Sequence, residues 1–329
     1  MQRKYGLLLP HFGPYATPAA LVGVAPRIEG YGFDSIWVRD HLIFHPHKFE
    51  HPDRTHVEPF IVLSAVAAVT SKVLLGFGSL IPYRHPIDTA LSLASLEWMS
   101  GPGRVIAGFG LGTYNHEFEA VGLGEYDRRE LVPEQIDIMR KLWTGEEVTY
   151  EGKFYSFEEV DVHPEPSSGE IAVWYCGGSL ASVRRTIEWK LQGWMPGRIN
   201  FGSLEKRMQR MARFKEEHSV VDGPEISAIP ITSPGASFEE GIRHIDVENM
   251  LDSARKRSWV PGPSGEFSTA RDLAGALIAG TADDIIEDVE RYHEMGLHHL
   301  VFDLRNRFDE WEENVQFLAE EVLPAVRKG

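Results

Sequence analysis

Short apolar runs, each followed by a longer amphipathic stretch, recur about eight times along this chain, and that alternation sets the folds open to it. The strand candidates are Tyr5–Leu9, Ser35–Val38, Val73–Ile81, Val105–Phe109, Ile171–Tyr175, Gly193–Pro196, Glu225–Ile231 and Leu297–Phe302. Most read as continuous apolar segments rather than alternating ones, as expected for strands buried on both faces of a parallel sheet. Gly193–Pro196 carries the weakest signal of the eight. Helix patterns fill the intervals. Thr17-Pro18 opens one that runs to Gly30, with a capping hydroxyl followed by a proline where the missing N–H costs nothing. The others are Glu58–Thr70, Ile87–Met99, Arg128–Trp143, Ser179–Leu191, Leu204–His218, Thr281–Met295 and Asp309–Val326, with Gly145, Gly296 and Pro324 as stop signals.

Eight strands alternating with helices predict an α/β fold closed as a (β/α)8 TIM barrel, in which 329 residues form one domain with insertions. An open doubly wound sheet usually carries a glycine-rich phosphate fingerprint after its first strand. Here that strand runs into Pro10-His-Phe-Gly-Pro-Tyr15, which is no such fingerprint. Gly108-Phe-Gly-Leu-Gly112 has the glycines but lacks the compact βαβ unit and following acid, so it is rejected as well. Two stretches break the alternation. Residues 147–160 read as a hairpin turning at Glu151-Gly152. Residues 232–265 are long, rich in Gly, Pro and Ser, and read as a lid-like loop with a short helical patch near Phe238–Ile245.

Forty-nine acids against 33 bases give a formal charge of -16, which disfavours nucleic acid and anionic membranes as partners. An anionic ligand must find a local basic or amide-rich pocket. Cys176 is the single cysteine, so no internal disulfide forms, in keeping with a reducing cytoplasm. No segment approaches the ~20 apolar residues of a membrane helix, and the N-terminus lacks a signal pattern. A cytoplasmic location is expected. His116-Glu117 has no second ligand pair at convincing spacing, and no metal is expected.

Several blocks, in order, resemble the luciferase-like monooxygenases. They are Gly32-Phe-Asp-Ser-Ile-Trp-Val-Arg-Asp-His41, Leu75-Gly76 through Pro82-Tyr-Arg-His-Pro86, Gly101–Gly112 with Glu117-Phe-Glu119, Leu142-Trp-Thr-Gly145 with the hairpin, Trp174-Tyr-Cys-Gly-Gly-Ser179, and Gly280-Thr281 to Gly296. No single block decides; the order and spacing together do. The resemblance implies a flavin-type ring across the carboxyl ends of the strands. One branch of the family binds FMN and usually activates oxygen; the other binds coenzyme F-420, a deazaflavin, and moves a hydride. The motifs lean to the second.

The resemblance makes His41 an acid/base near the ring's reactive carbon, with Asp40 orienting it; a histidine titrates near working pH. Without the resemblance, a loop histidine bonded to a neighbouring carbonyl would be the simpler reading. Glycine is costly inside a strand, and the resemblance places a bulge with a cis peptide at Gly78-Ser79. Gly177-Gly178-Ser179 before a helix offers main-chain N–H groups suited to a phosphate. Arg84 is a cofactor-binding candidate, with Arg128, Arg129, Arg184 and Arg185 as further cations for an anionic tail. His11, Phe44, Thr113 and Tyr114 are the substrate-pocket candidates, with Phe12 and Trp259 as further aromatic residues. Sugar-phosphate dehydrogenases of the deazaflavin branch carry a tryptophan where this chain has Phe44 and an acid where it has Thr113, which argues against a sugar phosphate. Trp37 and Trp174 are expected in the core. The resemblance also implies a homodimer through Ala65–Val69 and Leu91–Leu96. Three functions stay open: F-420-dependent hydride transfer, FMN-dependent monooxygenation fed by a partner reductase, and flavin binding without catalysis.

Overall fold

The computed structural model describes residues 2–257, 259–262 and 265–328. Eight parallel strands close a barrel in the order β1-β2-β3-β4-β7-β8-β9-β12. These are β1 Lys4–Leu8, β2 Ser35–Val38, β3 Leu74–Leu80, β4 Val105–Phe109, β7 Ala172–Cys176, β8 Gly193–Met195, β9 Glu225–Ala228 and β12 His299–Phe302. Between them, β5 Val148–Glu151 and β6 Ser156–Val160 form the expected hairpin, and β10 Ile231–Pro234 pairs with β11 Leu277–Gly280 outside the barrel. The main outer helices are α1 Ala25–Gly30, α2 Pro59–Ala67, α3 Pro86–Ser100, α5 Arg128–Leu142, α6 Leu180–Glu188, α7 Phe201–Glu217 and α10 Ala282–Glu294. The smaller ones are α4 Asn115–Ala120, α8 Phe238–Gly241, α9 Val247–Lys256, α11 Trp311–Phe317 and α12 Leu323–Val326.

Most boundaries follow from caps. The side chains of Asp127, Ser179 and Asn200 accept from backbone N–H groups in the first turns of α5, α6 and α7. Thr281 and Asp284 form a reciprocal box at α10. Gly145 and Gly296 take φ of 73° and 88° after α5 and α10, which a side chain would resist.

Several expectations change. Glu225–Ile231 is not one strand: Pro230 lacks an N–H for the ladder, so β9 ends at Ala228 and the chain leaves the barrel to pair with β11. Residues 232–265 are not mainly loop; α8 and α9 pack Ile245, Met250 and Leu251 with Ile231, Phe267 and Leu273 into a separate small core, and positions 258, 263 and 264 lie outside the described residues. Asp309–Val326 is broken into α11, a π-helical turn and α12, and α7 begins at Phe201 rather than Leu204. Finally, Asn115–Ala120 is an extra helix.

The barrel interior is filled by a few very large side chains set against glycines. Trp37 on β2 lies opposite Gly76 on β3, and Trp174 on β7 opposite Gly193 on β8. A Cβ at Gly76 would sit 2.3 Å from the Trp37 ring, and one at Gly193 would sit 2.3 Å from Trp174. The two indoles lie 5.5 Å apart, and His299 stands 5.5 Å from each. His299 is wholly buried, with Ser35 Oγ at 2.7 Å from its Nε2 and Glu225 Oε1 at 3.1 Å from its Nδ1. Glycine at 193 is therefore the reason β8 reads weakly as a strand.

A second constraint sits beyond the carboxyl ends of the strands. Glu50 accepts from Arg39 at 2.9 Å, from the His47 N–H at 2.8 Å, and from Arg305, which also grips Asp303. Side chains of Arg39, Glu50, Asp303 and Arg305 are at most 9% exposed. The network ties the long segment after β2 to the turn after β12. Burial alone would raise the Glu50 carboxyl, but Arg39 and Arg305 outweigh it and hold it well below the usual range.

Two measurements follow. Gly76→Ala should cost about 1–3 kcal/mol in urea unfolding by overpacking against Trp37, whereas Gly23→Ala, whose Cβ meets nothing within 4 Å, should cost nothing. Glu50→Gln should cost about 3 kcal/mol at neutral pH by stranding buried guanidinium charge. A depressed folded pKa contributes stability above the ordinary value of 4.5 and loses it as pH falls below. The gap between wild type and variant should therefore narrow from about pH 4.5 downward; a constant gap would refute the assignment.

Candidate active site

The turns after β2, β3, β4, β7 and β8 meet at one mouth of the barrel, because all eight strands run the same way. His41 follows β2. Its Nδ1 lies 3.3 Å from both carboxylate oxygens of Glu117, and its Nε2 lies 3.3 Å from Arg39 Nη2. A carboxylate can only accept and a guanidinium can only donate. The neutral ring therefore carries its proton on Nδ1 and presents Nε2 as acceptor. The side chain keeps 10% exposure and touches Phe44 and Tyr114, with ring centroids at 5.4 and 5.7 Å.

Glu117 is the residue that sequence reasoning missed. It comes from α4, is wholly buried, and accepts from the N–H groups of Leu42 and Ile43 at 2.8 and 3.2 Å. Burial would raise its carboxyl; His41 and those amides outweigh burial and lower it. The acid missing at Thr113 is thus supplied four residues later. The motif Glu117-Phe-Glu119 was visible, but only the fold of α4 brings it to His41.

Asp40 does not orient His41. It is buried and accepts from Ile81 N at 3.0 Å, from Tyr83 Oη at 2.5 Å, and from both terminal nitrogens of Arg84 at 2.5 and 2.9 Å. Arg84 also reaches Glu58 at 2.8 Å, so its guanidinium is committed to two carboxylates rather than to an anionic cofactor. Asp40 instead fixes the turn after β3. Arg129 pairs with Asp127, whereas Arg128 bonds only the neutral Asn115 Oδ1 and Gly112 O over the Phe118 ring and has no ion-pair partner among the described residues. Arg185 Nη1 lies 3.1 Å from Tyr175 Oη.

The Gly78-Ser79 peptide is cis, within a register shift of β3 against β4. A Cβ on Gly78 would rest 3.3 Å from Trp37 and 3.4 Å from Met195 Sδ, and one on Gly110 would fall 2.4 Å from Ser79 Oγ. The bend thus lies against the Trp37 indole, and Ser79 occupies the space that a side chain at 110 would need. Val38 pairs with Phe77, so His41 and the bend leave adjacent strands near the same level.

After β7, Gly177 donates its N–H to Met195 O at 2.9 Å and is not available to a ligand. The N–H groups of Gly178 and Ser179 have no acceptor among the described residues. Arg207 on α7 donates to the Gly178 carbonyl at 2.6 Å. In a trans peptide that turns the Ser179 N–H the opposite way, off α7. A Cβ at Gly178 would lie 2.8 Å from Pro196 O, so the loop needs glycine there.

The pocket candidates divide. Phe44 is buried against His41 and His56, and Tyr114 donates to His45 O at 2.9 Å. Thr113 is exposed. His11 is wholly buried and lines no open surface: it accepts from Arg39 N at 2.8 Å, its Nδ1 lies 3.2 Å from Val57 O, and burial pushes its pKa to about 3. Phe12 is buried against Phe44, and Trp259 packs on the small core. Among the described residues no group of three or more His, Cys, Asp or Glu is placed to hold a metal ion, and no helix is long and apolar enough to cross a membrane.

This arrangement has relatives. The luciferase-like monooxygenase family matches residues 4–299. An F420-dependent glucose-6-phosphate dehydrogenase of Microbacterium testaceum is 27% identical, over 94% of this chain and 94% of its own length. Among solved structures, an F420-dependent secondary alcohol dehydrogenase in complex with an F420-acetone adduct superposes with a TM-score of 0.81 at 20% identity, covering 99% of this chain and 100% of that one. The monooxygenase RslO1 from Streptomyces bottropensis superposes with a TM-score of 0.76 at 22% identity, covering 98% and 99%. With a closed eight-stranded barrel, a bent third strand and a family match over most of its length, this chain belongs to the luciferase-like monooxygenase family.

Proposed function

We propose that this oxidoreductase moves a hydride between coenzyme F-420 and a small organic substrate at the mouth of the barrel. The observation that carries the reading is His41, held in one tautomer by Glu117 and Arg39 beside the bend at Gly78-Ser79. The relatives named as F420-dependent dehydrogenases support it. A phosphorylated ring cofactor suits the residues present. The amides of Gly178 and Ser179 are open to a phosphoryl group, and a Cβ at Gly178 would close that turn. When bound, the deazaflavin supplies a two-electron hydride donor or acceptor.

The chain's own residues do the rest. With Arg39 displaced from His41 Nε2 by the substrate, that nitrogen takes a proton from the substrate hydroxyl, or returns one to a carbonyl, as the hydride moves. Glu117 is a positioning residue that keeps the Nδ1 proton in place. Phe44 and the indole floor keep water from that side of the site. Beyond β8, Arg198 has no hydrogen-bond or ion-pair partner among the described residues and lies over the Phe49 ring at 4.9 Å, which offers an anionic group on the substrate a partner. FMN is the alternative cofactor, since two free amides serve either phosphate.

Titration of the purified protein with F-420 and with FMN is the deciding test. Saturable F-420 binding with weak or no FMN binding is expected; tight FMN binding alone would favour the monooxygenase. His41→Ala should lower kcat by roughly 10²-fold. Glu117→Gln should lower kcat more than it raises KM, because the amide no longer fixes the tautomer. We further propose a homodimer through α2 and α3, where Ile61, Leu91, Trp98 and Met99 stand 41–66% exposed and Leu91, Trp98 and Met99 share a helical face. Leu96, expected in that face, is instead buried at 2%. Trp98→Glu should yield a monomer in light scattering; an unchanged mass would remove this interface.

A further inference from the structure

We infer that a cavity at the amino ends of β9 and β12, on the face of the barrel opposite the mouth, binds an amphipathic carboxylate with an aliphatic chain. Three elements wall it. Met211 and Lys215 stand on α7, Val220 and Val221 on the turn that follows, Ile226 on β9 and His298 just before β12. Its volume is about 700 Å³, within the range of small-molecule sites. The cavity is separate from the mouth, so its ligand does not depend on which cofactor binds there.

The wall is mainly apolar, and part of it is left open to water. Val221 is 89% exposed, although Val220 beside it packs on the core. The chain turns there through Ser219, whose φ of 54° is uncommon for a residue with a side chain. Met211 and Ile226 are buried beneath the opening. Methionine has an unbranched, polarizable side chain that adapts to its neighbour, which suits a flexible alkyl chain.

Two polar groups select the head group. Lys215 is half-buried and, among the described residues, its ammonium has no ion pair or hydrogen bond, in a chain with 49 acids. It lies back against the turn, since a Cβ at Gly223 would fall 2.7 Å from its Nζ. A partly desolvated ammonium without a partner favours a carboxylate. His298 Nδ1 is buried with no hydrogen-bond partner among the described residues, and burial lowers the pKa of the ring, which keeps it neutral. The carboxylates nearby do not take the place of a ligand. Glu225 is engaged by Lys4 and His299, and Glu216, which also lines the cavity, is exposed to water that screens its repulsion. A neutral alcohol would leave the ammonium unpaired, and a short acid would leave the apolar wall wet.

The test is isothermal titration calorimetry of the full chain with sodium octanoate, octanol and sodium acetate. Octanoate should bind saturably at a single site. Octanol should bind about fivefold more weakly, the worth of one partly exposed ion pair, and acetate should give no saturable signal. Lys215→Gln should bring octanoate down to the affinity of octanol and leave octanol unchanged. Ala212→Trp, at an exposed position of α7 that lines the cavity, should abolish binding of both by filling the space. No saturable octanoate binding, equal affinities for octanoate and octanol in the unmodified protein, or octanoate binding that survives Ala212→Trp would overturn the assignment. The comparison of the three ligands uses unmodified protein, so a folding defect in a variant cannot decide the outcome.

Discussion

The fit of two tryptophans against two glycines governs this molecule. Trp37 over Gly76 and Trp174 over Gly193 fill the barrel where eight strands converge. Filling an interior with side chains this large requires neighbouring strands to give up theirs. The same indole underlies the bend of β3, since a Cβ added at Gly78 would lie 3.3 Å from Trp37 and 3.4 Å from Met195 Sδ. Packing and the shape of the mouth are thus one constraint: the bend in β3 sits over the side chain that closes the barrel.

Charge is handled in a comparable way. The chain is strongly acidic, yet several of its arginines are spent inside. Arg39 and Arg305 hold Glu50, and Arg84 holds Asp40 and Glu58. These pairs shape the turns at the mouth and leave no charge over for a ligand. Among the described residues, the cations left without an ion pair include Arg198, Arg257 and, on α7, Lys206, Arg210 and Arg213. Counting basic residues near a motif therefore says little about anion binding until their partners are known. His41 shows the converse, since its chemistry is set by the two groups that flank it.

The barrel was largely legible because double-sided burial writes continuous apolar runs into the sequence, as at Val105–Phe109 and His299–Phe302. Pairing between β10 and β11 was not, since 231–234 and 277–280 are too short and too far apart to signal each other. The site was legible in part. His41, the bend at Gly78-Ser79 and the loop at 178–179 came from resemblance to a family. The carboxylate on His41 could not be read, because Glu117 is 76 positions away and its meaning depends on how α4 turns after β4. Arg84 and Asp40 were misassigned for the same reason: a sequence shows that a charge exists, not which opposite charge has already claimed it.

The indole–glycine pairs also restrict how such a barrel can drift. A larger residue at 76 has no room unless residue 37 shrinks, and the same holds for 193 and 174. Each pair can change only in concert, through an intermediate with either a clash or a void. A change in one of them would have to rebuild the platform beneath the bend of β3 at the same time, so a buried packing contact limits how the rim above it can change.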